Sequence, residues 1–298
     1  MTPATASRAK AHSACLGIVS LLAILFTATG SPAQEPPYFV TYSDYMEEQG
    51  NLEVAFKGAW GTPDHGNSFR SGTLEFEYGA LGWWTTEVYL SGQSTSNDST
   101  IFTGYRWENR FRPLPREYFI NPVFYVEYEA VNFADRSFLE VTGHATQQDL
   151  LIPNASARQV VERALETKLI LSGNVRGWNF SENFIAEKAL NESDPWEFGY
   201  ALGVSRPLAN AASVRNCIFC RERFIAAAEM FGGLGDTNGF GIHATSQYLG
   251  PIIAYDVPRG PTIAFSTDFG LNDNSVPRIY RIKISYEFEQ IFRRKASK

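Results

Sequence analysis

The sequence predicts an all-β fold: an antiparallel up-and-down transmembrane β-barrel of about twelve strands, with short periplasmic turns and longer outer loops. Three observations carry that expectation. Apolar and polar residues alternate with period two in segment after segment. The connections between these segments are alternately long and short. The chain also opens with an export signal.

In that signal, Arg8 and Lys10 precede an apolar run from Leu16 to Phe26, and Ser31-Pro32-Ala33 forms a small-x-small cleavage site before Gln34. Residues 1–33 read as a secretory signal peptide, whose apolar core is too short for a membrane span. Cys15 precedes the apolar run, whereas lipid attachment requires a cysteine just after it. No later stretch approaches about twenty uninterrupted apolar residues, so no transmembrane helix is expected in the mature chain. Cleavage removes Arg8 and Lys10 and no acid, taking the formal charge from −6 to about −8, which argues against a nucleic-acid partner. A 44% hydrophobic, 14% aromatic composition with slightly negative mean hydropathy suits strands that each keep one polar face. Without a linker or internal repeat, residues 51–288 read as one barrel, flanked by a periplasmic lead-in at 34–50 and a periplasmic tail at 289–298.

The lead-in is rich in Pro and Tyr (Pro36, Pro37, Tyr38, Tyr42, Tyr45) and is expected to touch at most the barrel rim. The first strand, Asn51 to Trp60, opposes Leu52, Val54, Phe56 and Trp60 to Glu53 and Lys57. Thr73 to Tyr78 and Trp83 to Gln93 form the clearest hairpin, with Leu74, Phe76, Tyr78, Trp84, Val88 and Leu90 on one face and Glu75, Glu77 and Glu87 on the other. Ile101 to Phe111 sets Tyr105 and Trp107 against Arg106, Glu108 and Arg110; Ile120 to Tyr128 sets Phe124, Val126 and Tyr128 against Tyr125, Glu127 and Glu129.

A long polar connection, 132–163, follows. Asn154 starts like a helix N-cap, and Val160, Val161 and Leu165 have helical spacing, so a short helix is expected there; the loop extends above the membrane or folds inward as a gate. Thr167 to Val175 carries Lys168 on its polar face, and the two-residue turn Arg176-Gly177 leads into Trp178 to Lys188, where Glu182 shares the parity of Phe180 and Phe184 and calls for a bulge. Trp196 to Ser205 puts Gly199, Ala201, Gly203 and Ser205 on its inner face, leaving space for a lumen or a packed loop. Phe224 to Gly232, Gln247 to Asp256, Thr262 to Leu271 and Val276 to Phe288 complete the set. Aromatics gather in two belts where strands meet turns: Trp83, Trp84, Tyr118, Phe119, Trp178, Tyr286 and Phe288 at one level, and Trp60, Tyr128, Trp196, Tyr248 and Tyr280 at the other.

Two local resemblances follow from these residues. Arg281, Lys283, Tyr286 and Phe288 resemble the C-terminal assembly signal of outer-membrane barrels, with Lys283 where that signal has Gly; this implies the barrel-assembly machinery of a Gram-negative envelope as a partner, with outer-membrane lipid around the barrel. The Glu75-Phe76-Glu77-Tyr78-Gly79 strand and turn running into Trp83-Trp84-Thr85-Thr86 is similar to the outer-membrane transporter families that include the meta-pathway of phenol degradation barrels. It implies passage of a small molecule and transfers no binding residue.

Strand order then faces Glu75, Glu77, Glu87, Arg106, Glu108, Arg110, Glu127, Glu129, Lys168, Arg281, Lys283 and Glu287 into the lumen, with Arg106 beside Tyr89 and Tyr125. Such a ladder either selects solutes by charge and size or fills a narrow barrel that conducts nothing. The expected function is a channel or transporter for small solutes. The alternatives are a closed structural or adhesive barrel whose loops bind a partner, and a soluble periplasmic β-barrel or sandwich. No enzyme is expected: His65, His144 and His243 all fall in outer connections, and the His144-x-Thr146 and His243-x-Thr245 spacings arise easily among loop hydroxyls. No cofactor or metal is implied. Cys217 and Cys220 suit a local disulfide, and their turn is a candidate contact for a periplasmic partner.

Overall fold

Period-two alternation leaves every strand one apolar and one polar face, and a ring of such strands has no free edge once its first and last members pair. The structure, a computed structural model, describes residues 35–136, 141–143, 151–209 and 218–291. In it twelve strands form a closed barrel: β1 (Leu52–Gly61), β2 (Phe69–Leu81), β3 (Trp84–Thr95), β4 (Thr100–Phe111), β5 (Asn121–Asn132), β6 (Val161–Val175), β7 (Trp178–Ala189), β8 (Glu197–Pro207), β9 (Phe224–Asp236), β10 (Gln247–Asp256), β11 (Thr262–Gly270) and β12 (Arg278–Phe288). Each is antiparallel to its neighbours, and β1 closes on β12 from Leu52↔Phe288 to Gly61↔Ile279. The signal-peptide residues 1–33, Cys217, His144 and the tail beyond Ile291 lie outside the described residues.

The outward face is a continuous apolar belt. Phe56, Leu74, Phe76, Leu90, Trp107, Phe124, Phe180, Phe184, Phe265 and Ile282 are all exposed on it, while their chain neighbours of opposite parity are largely buried. So much contiguous exposed apolar surface suits lipid rather than water. At one end of the barrel, here the turn end, lie the connections 82–83, 112–120, 176–177, 208–223 and 257–261; at the other, the loop end, lie 62–68, 96–99, 133–160, 190–196, 237–246 and 271–277. The two-residue turn Arg176-Gly177 has both residues at positive φ (51° and 81°), the conformation of a type I′ hairpin.

Several expectations are corrected. The helix is a single turn, α1 (Asn154–Ala157), because pairing with β5 extends β6 back to Val161, opposite Asn132, and claims Leu165 for the sheet. Glu182 needs no bulge: it stands opposite Leu171 in an unbroken register and is exposed on the outer face between Phe180 and Phe184. Tyr248 belongs to neither aromatic belt; it is buried inside, stacked on Phe231 with ring centroids 5.2 Å apart. Trp60, Trp83, Tyr118, Trp196, Tyr286 and Phe288 are exposed, and Trp84, Tyr128 and Trp178 are partly so.

Candidate functional site: a strapped, charged lumen

The largest departure concerns residues 35–50. The sequence places them outside the barrel, yet Tyr38, Phe39, Val40, Thr41, Ser43, Asp44, Met46 and Glu47 are buried within it. This strap forms no strand and is held by side chains of the wall. Glu229 Oε2, on β9, accepts the consecutive backbone amides of Phe39, Val40 and Thr41 at 3.3, 3.0 and 3.1 Å. Asn183, on β7, clamps Tyr42 from both sides, accepting its amide at 2.6 Å and donating to its carbonyl at 2.9 Å. Tyr38 Oη donates to Asn179 at 2.9 Å, and Tyr42 Oη reaches across to Glu108 on β4, also at 2.9 Å. Asp44 accepts from Asn121 (2.7 Å) and Ser172 (2.8 Å), and the strap rejoins the wall at the turn end where Gly50 donates to the Gly79 carbonyl.

Two glycines make room. A Cβ at Gly203 would stand 2.7 Å from the Tyr38 ring, and one at Gly199 would stand 2.2 Å from the Val141 carbonyl oxygen. The small inner residues of β8 are therefore filled by chain from two directions. Val141 belongs to the long 133–160 connection, of which Thr142 is buried, donates to Glu187 at 2.7 Å and bridges to Gly199. At least these residues of the connection fold inward at the loop end.

Opposite the β7–β9 side, the inner face is ionic. Arg110 pairs with Glu77, Glu87 and Glu108, the last at 3.0 Å. Arg106 pairs with Glu129 (2.8 Å) and Asp135 (2.7 Å) and lies 4.0 Å from Glu127. Arg106 does stand opposite Tyr89, but on β5 it faces Glu129, while Tyr125 faces Arg110; the longer 112–120 connection shifts that register from the expected one. Lys168 pairs with Glu166 at 2.8 Å and sits over the Tyr125 and Tyr42 rings, 4.1 and 4.6 Å from their centroids. Arg281 pairs with Asp268 at 2.5 Å, and Lys283 with Glu53 at 3.2 Å. Glu287 is exposed at the turn-end rim, where Asn51 donates to it. Glu53, Glu75 and Glu77 bring carboxylate oxygens within 4.8 Å of one another, but Lys283 and Lys57 already pair with Glu53 and Glu75.

Above the strap lies a cavity of about 380 Å³, with Phe39, Val40 and Tyr42 at its base, Glu127, Glu166, Lys168 and Glu187 among its walls, and Val141, Ile152 and Asp194 toward the loop end. The chain folds like an outer-membrane channel. A crystal structure of an outer membrane channel from Pseudomonas putida F1 superposes with a TM-score of 0.54 at 9% identity, covering 86% of this chain and all of that one. The NanC porin gives a TM-score of 0.47 at 10% identity, covering 78% of this chain and 97% of that one. No protein-family model matches the sequence, and neither does any curated protein.

Of the twelve charged residues expected to face the lumen, all but the rim-exposed Glu287 are buried or half-buried, and the sequence reading missed the strap's anchors, Glu229, Asn183, Asn121 and Ser172. The signal for them was the run of small inner residues on β8, which announces that something else occupies that side. Cys220 is buried and disulfide-bonded at the turn end, beside the exposed Ile218 and Phe219. His65 and His243 are exposed, and the Thr245 hydroxyl donates to the Ile242 carbonyl, so the His243-x-Thr245 spacing assembles no base–hydroxyl pair.

Proposed function

We propose that the protein is a channel for small solutes in the outer membrane of a diderm bacterium, delivered there by its signal peptide, with the strap as its constriction. The observation that carries this reading is the way the strap is seated. Wall side chains hold it without a β-ladder, so displacing it breaks individual hydrogen bonds, each worth about 0.5–1.5 kcal/mol net, and uncovers Tyr38, Phe39 and Val40, while no strand pairing of the barrel has to open. The cavity above it, walled by charge, is the vestibule that such a gate would serve. Resemblance of the Glu75–Gly79 hairpin to the phenol-degradation-pathway barrels favours passage of a small molecule, and the Cys217–Cys220 turn is the face a periplasmic partner would meet.

The test is heat-modifiable migration of protein purified from outer membranes, followed by single-channel recording on the same sample. A band shift on boiling with discrete openings is expected. The strap's crossing of the lumen favours one second reading, a shut barrel whose loops bind a partner. A heat-modifiable but silent protein would replace the first reading with that one.

A further inference from the structure

Charge is costly on the lipid-facing side of a membrane barrel, most of all at mid-depth. Among the described residues, the cations that strand parity turns outward keep to the strand ends. Arg70, Arg163, Lys188, Arg206 and Arg278 each stand among the first or last three residues of their strand. Glu182 does not. It is four residues beyond Trp178 on β7, exposed, flanked on its own face by Phe180 and Phe184 and across the strands by Leu171 and Leu202. Four residues of about 3.3 Å each, on a strand tilted about 35–45°, set it roughly 10 Å above the level of Trp178, inside an apolar band about 25 Å tall.

Other polar side chains of this face find partners in the wall. Thr86 donates to the Glu108 carbonyl at 3.2 Å and accepts from Trp107 at 3.0 Å, Asn109 accepts from Trp84 at 3.0 Å, and Thr167 donates to the Ala186 carbonyl at 3.2 Å. Among the described residues, Glu182 has neither a hydrogen bond nor an ion pair.

Beside it the wall is hollowed. Gly173, directly opposite Phe180, brings no side chain to the outer face, and a Cβ there would stand 2.1 Å from the Phe119 carbonyl oxygen. The 112–120 connection therefore folds over β6 and raises a ledge that carries the exposed Phe119 and Ile120. Between that ledge and Phe180, Leu202 and Met230 lies an outward groove of about 660 Å³, with Glu182 in its lining. A mostly apolar hollow with one placed polar group is the form of a small-molecule site.

Its occupant must bring a positive charge to this depth together with apolar surface. A second copy of the chain does not. A two-fold contact sets the same patch against itself, and so Glu182 against Glu182. A rotated copy offers outward cations at its strand ends, not at the level of Glu182. A lipid whose head group carries an ammonium brings both, because a bilayer thins locally and admits polar groups around such a charge. We propose that this groove seats one phospholipid with a primary-amine head group, its ammonium paired with Glu182 and an acyl chain laid along Leu202 and Met230. The inference requires the barrel to stand in a membrane and is independent of whether its lumen conducts.

The experiment is native mass spectrometry of the full-length protein released from nanodiscs of phosphatidylethanolamine and phosphatidylglycerol in equal amounts and with identical acyl chains. Wild type is expected to retain one phosphatidylethanolamine several-fold over phosphatidylglycerol. Glu182→Gln should lose that preference, Leu202→Trp should fill the groove and retain neither lipid, and Ile282→Trp on the outer face of β12 should match wild type. Equal retention of the two head groups by wild type, or a preference unchanged in Glu182→Gln, would overturn the proposal. So would a dimer or a bound second protein that Leu202→Trp abolishes, which would make the groove a protein interface. If Leu202→Trp is not heat-modifiable, Met230→Trp is read in its place and must release the lipid for the proposal to survive.

Discussion

The two sides of this lumen solve the same packing problem in opposite ways. On β2 to β6 the inward residues are long and ionic, Glu75, Glu77, Glu87, Arg106, Glu108, Arg110, Glu127, Glu129 and Lys168, and they fill the radius by reaching across to one another. On β7 to β11 most of them are short or apolar, Asn179, Ser181, Asn183, Ala201, Gly203, Ser205, Ile225, Ile252, Ala254 and Ala264, and cannot; the buried acids there, Glu229 and Asp268, are taken up by the strap amides and by Arg281. The strap fills the difference. Tyr38, Phe39 and Val40 join Ala201, Ile225, Phe231 and Ile252 in one buried cluster, each large apolar side chain adding roughly 1.5–3 kcal/mol of burial. A wall that carries its own partners needs no guest, and a wall of small residues requires one. The strap still reaches the first wall, through Tyr42, Asp44 and Met46, but it fills the second.

If that division is right, damage to one wall leaves the other intact. Arg106→Met should have the largest effect on the barrel itself, because it leaves Glu129 and Asp135 buried without the cation that pairs them. Removing one partner of a buried pair costs roughly 3–5 kcal/mol. Urea titration of the folded band is expected to show that loss, while a cysteine introduced as Val40→Cys in the strap stays as slow to react with maleimide as before. Rapid labelling in the Arg106→Met background would mean that the charged wall holds the strap too, and the comparison would fail.

Gly203→Leu is the converse. Its Cβ would fall 2.7 Å from the Tyr38 ring and 3.0 Å from Thr41 Cγ2, and overpacking of this kind costs roughly 1–3 kcal/mol. The strap, held by side chains, gives way more easily than a closed sheet. Labelling at Val40→Cys should then rise about tenfold for each 1.4 kcal/mol of unseating, and conductance should increase, with urea resistance little changed. Loss of the heat-modifiable band instead would place the strain in the barrel.

The ionic wall was legible in the sequence because it obeys a local rule. Arg106, Glu108 and Arg110 alternate with Tyr105, Trp107 and Asn109 along one strand, and period two assigns the face without knowledge of neighbours. The same rule recovered the strand number and the loop asymmetry. It could not find the strap, since Tyr38 to Asp44 has no period and its partners lie 141 and 190 residues away at Asn183 and Glu229. Register was equally hidden. Glu108 opposite Glu127 depends on how many residues the 112–120 connection spends before β5 begins, and a Pro-rich turn does not declare that number.

The smallest expected effect is on pH, and it tests whether the strap depends on its own ionisation. Glu47 is buried where the strap returns to the turn end; burial foremost, then the neighbouring Glu287 and Glu35 carboxylates, raises its carboxyl to about 8. A carboxyl raised in the seated state binds its proton more tightly there than when released. Its contribution to seating is therefore complete below the ordinary carboxylate range near 4.5 and is lost as pH rises through about 8. Labelling of Val40→Cys, corrected for the thiolate fraction with a small-molecule thiol, should accelerate modestly from pH 5 to pH 9, and Glu47→Gln should flatten that slope while leaving the pH 5 rate unchanged. A slope that persists in Glu47→Gln but is lost when Glu35→Gln is added would move the response to Glu35, which burial raises to about 7; one that survives both would assign it to carboxyls of the barrel wall.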